Sequence, residues 1–172
     1  MKRNIISAIL ILVCFILQCT VFRFFDFGGI VPNLLIILTA SFGFMRGETT
    51  GLLIGFVCGL LTDIFFADII GFYALVYMYI GYINGKFSRQ FYPEDIKMPM
   101  CLIIGSDFVY GFICYVFMFL LRGRFQLGYY MMHVIIPEIV YTLIVTIFLY
   151  PLVLKINYHL ESKEKRSAKK FV

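Results

Sequence analysis

Residues 51–66 read GLLIGFVCGLLTDIFF, a run in which Asp63 is the one charged residue. Glycine occupies every fourth position at its start, at Gly51, Gly55 and Gly59. Residues four apart lie on one face of an α-helix, so this face lacks side chains and lets a second helix approach closely. The run predicts a membrane-spanning helix with a helix-docking glycine face. The docked helix belongs either to the same chain or to a partner protein.

The chain as a whole is too apolar for a soluble domain. Of its 172 residues, 62% are hydrophobic and 15% are charged, and the mean hydropathy is +0.93. Soluble domains are about half apolar and a quarter charged. We therefore predict an all-α integral membrane protein, a six-helix transmembrane bundle in a single domain. Its spans are expected at about 5–22, 30–45, 51–66, 69–83, 98–121 and 131–154, before a basic tail at 155–172.

Three local features refine this division into spans. The residues before the first polar break carry no A-x-A cleavage motif, so the first span is predicted to be retained rather than removed as a signal peptide. The polar stretch from Asn84 to Lys97 has room for a short interfacial helix. Pro137 is expected to kink the last span, because proline cannot donate a helical hydrogen bond.

The basic residues predict the orientation of the bundle. With six spans and the N-terminus inside, only Arg23, Arg122 and Arg124 of the 15 basic residues fall outside, and the other 12 fall inside. The positive-inside rule then places both termini in the cytoplasm. The net charge of +5 comes largely from the tail, which predicts contact with anionic lipid rather than with nucleic acid.

Four ionisable residues within apolar runs are candidate intramembrane polar sites: Asp63, Asp107, His133 and Glu138. Intramembrane carboxyls are costly and are often functional. No lysine or arginine is expected at matching depth, so the carboxyls are either protonated, hydrogen-bonded structural groups or functional ones. Counting 1.5 Å per residue places Asp107 and Glu138 roughly 10 Å apart in depth.

The sequence offers no catalytic constellation, metal site or cofactor motif. It lacks the HExxH, GxSxG and P-loop patterns of membrane proteases, hydrolases and nucleotide-binding proteins. All five cysteines lie within apolar runs without metal-ligand spacing, so they are expected to pack as small apolar residues. We therefore predict a protein that is not an enzyme.

Over most of its length, the chain resembles the rod shape-determining protein MreD family in the positions of its glycines and prolines within hydrophobic helices. The residues that carry the resemblance are Pro32-Asn33-Leu34-Leu35, Arg46-Gly47, Gly51-x-x-x-Gly55-Phe56-x-x-Gly59-Leu60-Leu61-x-Asp63, Gly71 with Ala74-Leu75, Gly81-Tyr82, Pro137 and Tyr150-Pro151-Leu152. The chain departs from that pattern at Tyr141-Thr142, where many relatives are expected to carry an asparagine.

The resemblance implies a non-enzymatic component of the bacterial cell-elongation machinery in the cytoplasmic membrane. It implies a single-span, MreC-like protein as direct partner, and MreB filaments and the peptidoglycan polymerase and transpeptidase as indirect partners. It also implies a helix layout similar to the substrate-binding subunits of energy-coupling-factor vitamin transporters.

That similarity supplies the alternative function, a substrate-binding membrane subunit of a small-molecule transporter. Such a subunit needs a polar pocket near the outer side, which Asp63, Glu138 and His133 are placed to line. Against it, the first span has Leu12 four residues after Ala8, and so lacks the A-x-x-x-A face by which these subunits dock their coupling partner.

Overall fold

A computed structural model of the chain describes residues 2–24, 29–67, 70–90, 96–118 and 127–168. Helices account for 92% of the structure, and no β-strand occurs within these ranges. The all-α architecture predicted from composition is confirmed. Arg122-Gly123-Arg124, used above to count outside charges, lie outside the described residues, as do the side chains from 163 onward that carry most of the tail's charge.

The described residues form a succession of helices. They are α1 (Lys2–Cys19), α2 (Val21–Phe24), α3 (Leu34–Arg46), α4 (Glu48–Phe66), α5 (Phe72–Lys86), α6 (Lys97–Met118), α7 (Leu127–Tyr130) and α8 (Ile136–Ala168). A 3₁₀ turn at Phe87–Gln90 follows α5, within the polar stretch expected to hold a short helix, and a π-helical turn at Met131–Ile135 joins α7 to α8.

Among the described residues, four helical segments are long and apolar enough to cross a membrane: Arg3–Phe24, Glu48–Phe66, Lys97–Phe117 and Gly128–Ser162. The predicted second and fourth spans correspond to α3 and α5, which have 13 and 15 residues. A bilayer core needs about 20 helical residues. These two helices are therefore shorter than a full crossing.

The core of the bundle is built around α3. Every residue of α3 from Leu34 to Phe44 is buried, and α3 contacts α1, α4, α5, α6 and α8. By contrast, α1 and α8 each expose a row of large apolar side chains. An apolar helix buried on all sides inside apolar neighbours fits a bundle whose outer helices face lipid.

The second predicted span begins later than expected. The helix starts at Leu34 rather than at Ile30, and Pro32 lies in the non-helical segment before it. The reason is Asn33, whose side chain caps the new helix by accepting a hydrogen bond from the Ile36 N–H. A side-chain oxygen at this position satisfies one of the donors that a helix start leaves without a partner.

The last helix is longer than the predicted sixth span. It runs through Ala168, so the first part of the predicted tail is helical. The π-helical turn ends at Ile135, two residues before Pro137, and the Ile136 N–H donates to the Met131 carbonyl five residues back. Such a turn accommodates a proline that cannot continue the regular hydrogen-bond ladder.

Candidate functional site

The glycine face of α4 packs against α5 of the same chain. A Cβ at Gly51 would overlap the Gly81 carbonyl, and one at Gly55 would overlap the Tyr77 carbonyl. At Gly59 the obstacle is the backbone of Ala74. The residue numbers of the contacted positions decrease along α5 as those on α4 increase, so the two helices are antiparallel. Their backbones touch because no side chain separates them.

The contact extends beyond the three predicted glycines. Gly85 on α5 packs against the backbone of Glu48, and Gly43 on α3 lies over Gly81, with 2.7 Å between its ideal Cβ and that carbonyl oxygen. Gly47 joins α3 to α4 with φ of +92°, a conformation that side-chain-bearing residues rarely adopt. Glycines thus bring α3, α4 and α5 into one tight unit.

Asp63 completes the α4–α5 contact. Its two carboxylate oxygens accept hydrogen bonds from the N–H groups of Tyr73 and Ala74, at 2.9 and 2.8 Å. These groups lie in the first turn of α5, where backbone donors have no helical partner and the helix dipole favours a negative group. Asp63 is 1% exposed and acts here as the cap of the neighbouring helix.

Asn33 joins three elements where α3 begins. Its side-chain oxygen accepts hydrogen bonds from the Tyr77 hydroxyl on α5, at 2.8 Å, and from the Ile36 N–H on α3, at 3.2 Å. Its own N–H donates to the Thr142 hydroxyl on α8, at 3.1 Å. Non-helical backbone at membrane depth persists only where other groups satisfy it, and these side chains do so.

Gln18 on α1 satisfies the next donors of the same helix start. Its side-chain oxygen accepts hydrogen bonds from the N–H groups of Leu34, at 3.0 Å, and Leu35, at 3.4 Å. The polar break that Gln18 makes in the first apolar run therefore serves to anchor α1 on α3.

At its other end, α3 is held by Arg46. The guanidinium donates to the Asn157 side-chain oxygen on α8, at 2.6 Å, and to the Ser7 hydroxyl on α1, at 2.7 Å. It also lies 4.3 Å from the centre of the Phe42 ring. The Arg46 side chain thus connects α1, α3 and α8. It does so with several N–H donors of one guanidinium group, which a residue with charge alone would not provide.

Asp107 and Glu138 belong to neighbouring helices, α6 and α8. Asp107 is 2% exposed, and neither of its carboxylate oxygens has a partner at ordinary hydrogen-bond distance, although the Thr142 hydroxyl faces it. The two carboxyls interact electrostatically. Gly111, one turn after Asp107, packs on Ile135, one turn before Glu138. This contact places the two carboxyls at similar depth, whereas counting from assumed span ends had put them roughly 10 Å apart.

His133 lies in the π-helical turn and is exposed. Its ring stacks on the Tyr129 ring with centroids 4.2 Å apart, and its Nδ1 lies 3.1 Å from the Tyr129 carbonyl oxygen. It makes these contacts with the preceding turn of its own helix. The structure therefore does not bring His133 together with Asp63.

A cavity of about 490 Å³ opens at the end of the bundle where α1 and α4 finish. Its lining includes Gln18, Arg23, Thr62, Tyr73 and Tyr110. The residues expected to line such a pocket, Asp63, Glu138 and His133, are not among its walls. Nor do three metal-binding side chains come together anywhere in the described ranges.

Sequence reasoning did not assign roles to Asn33, Gln18, Arg46 and Thr142. A signal was present for Asn33, since an asparagine directly before an apolar run is typical of a helix N-cap. The partners of the other three come from distant helices, and no local spacing indicates them.

Comparison with known proteins adds the family. The sequence model described as rod shape-determining protein MreD matches residues 2–158. No curated protein matches the chain significantly, and no solved structure does. The family match covers nearly the whole described bundle, including the glycine face, the Asn33 cap and the Asp63 cap. The chain therefore belongs to the MreD family of rod shape-determining proteins, a family of membrane proteins.

Proposed function

We propose that this protein is a non-enzymatic membrane component of the bacterial elongation machinery and acts by docking partner proteins through its helices. The match to the MreD family over residues 2–158 carries the proposal. The direct partner is a single-span, MreC-like protein. Through it the chain is linked to MreB filaments and to the polymerase and transpeptidase of lateral peptidoglycan synthesis.

The packing of the bundle supports a scaffold role. Helices α3, α4 and α5 touch through glycines, and their ends are held by Asp63, Asn33 and Arg46. Tight backbone contact and capped helix ends favour one arrangement of the helices. A fixed arrangement presents a constant surface to a partner, which reduces the ordering cost of binding.

Helix α5 covers the glycine face of α4, so a partner protein cannot bind there. Partners therefore dock on apolar helix faces that point outward. Large apolar side chains point outward on each of the four long segments, for example Leu12 on α1, Phe56 on α4, Phe108 on α6 and Ile144 on α8. In a bilayer, lipid or a partner helix covers such side chains. The helix-docking role of Gly51, Gly55 and Gly59 is then to hold α5, which supports these faces from within.

We place the protein in the bacterial cytoplasmic membrane with both termini in the cytoplasm, as the charge distribution favours. Residues 155–172 then lie next to the inner leaflet, where their basic side chains attract anionic lipid by about 1 kcal/mol each. The same arrangement places the cavity bordered by Arg23 on the outer side.

That cavity favours the alternative function, a substrate-binding subunit of a small-molecule transporter. Its volume of about 490 Å³ suits a small ligand. A helix layout like that of energy-coupling-factor subunits would belong to this function. The Ala8 and Leu12 positions on α1 still lack the small-residue docking pair of such subunits.

Depletion in a rod-shaped host tests the proposal. We expect cells that lose the protein to become round, and expression of the chain to restore rods. The variant Gly105→Ala, which adds a methyl group on an exposed and open face of α6, should restore rods as well as the unmodified chain does. Rods that persist after depletion, with a vitamin requirement appearing instead, would favour the transporter.

A further inference from the structure

A pair of carboxyls in the bundle, the buried Asp107 and the half-buried Glu138, is not explained by docking. Asp107 on α6 is 2% exposed, and both of its carboxylate oxygens lack a partner at ordinary hydrogen-bond distance. This sets it apart from Asp63, whose oxygens are both used in hydrogen bonds. A bare carboxylate in such a place is strongly disfavoured, since nothing replaces its hydration.

The packing of α6 on α8 brings Glu138 to this site. Gly111 lies one turn after Asp107 on α6, and its ideal Cβ would come within 3.1 Å of the Ile135 side chain. Tyr115, after Gly111, packs on Tyr130, before Ile135, so the two segments run antiparallel. Glu138 follows Ile135 by three residues, about one helical turn. Asp107 and Glu138 therefore lie on the same side of the Gly111–Ile135 contact, each about one helical turn away from it. In this position their carboxyls interact.

The groups around the pair are uncharged hydroxyls and a thiol. Tyr77 on α5 and Thr142 on α8 face Asp107. The groups that face Glu138 are Tyr110 and Cys114 on α6 and Tyr130 on α7. In the part of the chain that the structure describes, no lysine or arginine pairs with either carboxyl.

Two carboxylates at close quarters, without a cation, repel each other and do not both ionise readily. A proton on one of them removes the repulsion and supplies a hydrogen-bond donor. The bound proton also gives the orphaned oxygens of Asp107 a partner, either in Glu138 or in Thr142.

We propose that Asp107 and Glu138 together form a proton-binding site at the contact between α6 and α8, and that release of the proton to solvent loosens this contact. The proton then acts as a ligand that holds α8 against α6. The π-helical turn at Met131–Ile135 lies beside the site, where the regular hydrogen-bond ladder is already interrupted. This proposal does not depend on the identity of the docked partner.

Infrared spectroscopy of the purified protein in lipid bilayers tests the proton directly. We expect the carbonyl stretch of a protonated carboxylic acid at neutral pH in the wild type, and its loss in the double variant Asp107→Asn/Glu138→Gln. Glu48→Gln is the matched control, because Glu48 is an exposed carboxyl at the start of α4, and this variant should keep the band.

Three results would overturn the proton site. The band is absent from the wild type at neutral pH, it persists in the double variant, or it disappears when sodium ions are added at constant pH. The last result would identify a site for a metal cation instead.

Hydrogen exchange of residues 131–142 tests the loosening. Exchange in the wild type is divided by exchange in Asp107→Asn at the same pH, which removes the intrinsic pH dependence of exchange. We expect this ratio to be near one at about pH 5 and to rise several-fold by about pH 9, as the wild-type pair ionises. Glu138→Gln should give the same result if Asp107→Asn does not fold. A ratio that stays constant in both comparisons would contradict the coupling between proton and helix contact.

Discussion

Gly51 on α4 and Gly81 on α5 pack backbone against backbone, so that a Cβ on either would overlap the carbonyl oxygen of the other. The glycine spacing on α4 therefore corresponds to a physical contact inside the chain. An equivalent contact repeats at Gly55 and Gly59, along the length of both helices. Substitutions on this face should disturb the bundle as a whole.

We expect Gly51→Ala to lower the free energy of unfolding by about 1–3 kcal/mol, because the added methyl group forces the α4 and α5 backbones apart. Gly105→Ala makes the same chemical change on α6, where nothing lies within 4 Å of the ideal Cβ. It should be neutral or stabilising by up to about 1 kcal/mol. Unfolding in bilayers or mild detergent measures both, and equal effects would contradict the backbone contact.

A series at Asp63 tests its capping role. Asp63→Ala leaves the N–H groups of Tyr73 and Ala74 without an acceptor and should destabilise by about 1–3 kcal/mol. Asp63→Asn keeps one acceptor oxygen and should fall between alanine and the wild type. Thermal unfolding ranks the three proteins. If asparagine proves as damaging as alanine, charge rather than hydrogen bonding is the decisive property.

Thr142 should matter through its hydroxyl group alone. Thr142→Val keeps the shape of the side chain but removes the acceptor of the Asn33 N–H, so we expect a loss of about 1–3 kcal/mol. Thr142→Ser keeps the acceptor and should remain close to the wild type. The comparison is made by unfolding under identical conditions. A harmless valine would mean that Asn33 finds another partner.

Asp107→Asn should leave folding nearly unchanged, since asparagine resembles the protonated acid in shape and charge. The readout is the amount of protein that accumulates in the membrane, with wild-type levels expected. A variant that fails to accumulate would show that a charged Asp107 is structurally essential.

The outline of the bundle could be predicted from the sequence because apolar runs and glycine spacing are local signals. Residues close together in the chain indicate the glycine face and the approximate positions of the helical segments. They also show that Asp63 is a charged residue within an apolar run. What Asp63 does could not be predicted, because its partners lie beyond Gly71, in a turn whose geometry depends on φ of +105° at that glycine.

Two misjudged features have the same origin. The start of α3 shifts to Leu34 because Asn33 is held by Tyr77 and Thr142 from distant helices. The depth of Asp107 relative to Glu138 depends on how Gly111 packs on Ile135, and counting residues from assumed span ends does not reveal it. Contacts between helices that are distant in the chain determine these details, and a single sequence does not reveal such contacts.

Photocrosslinking in native membranes tests the central claim most directly. A photoreactive residue replaces Leu12, Phe56, Phe108 or Ile144, one at a time, on the outward faces of α1, α4, α6 and α8, and the crosslinked proteins are identified by mass spectrometry. We predict that at least one position captures a single-span, MreC-like protein, while Cys58, fully buried within α4, captures none when replaced in the same way. Capture of a coupling membrane subunit with its ATPases, and of no wall-synthesis component from any position, would contradict the scaffold function.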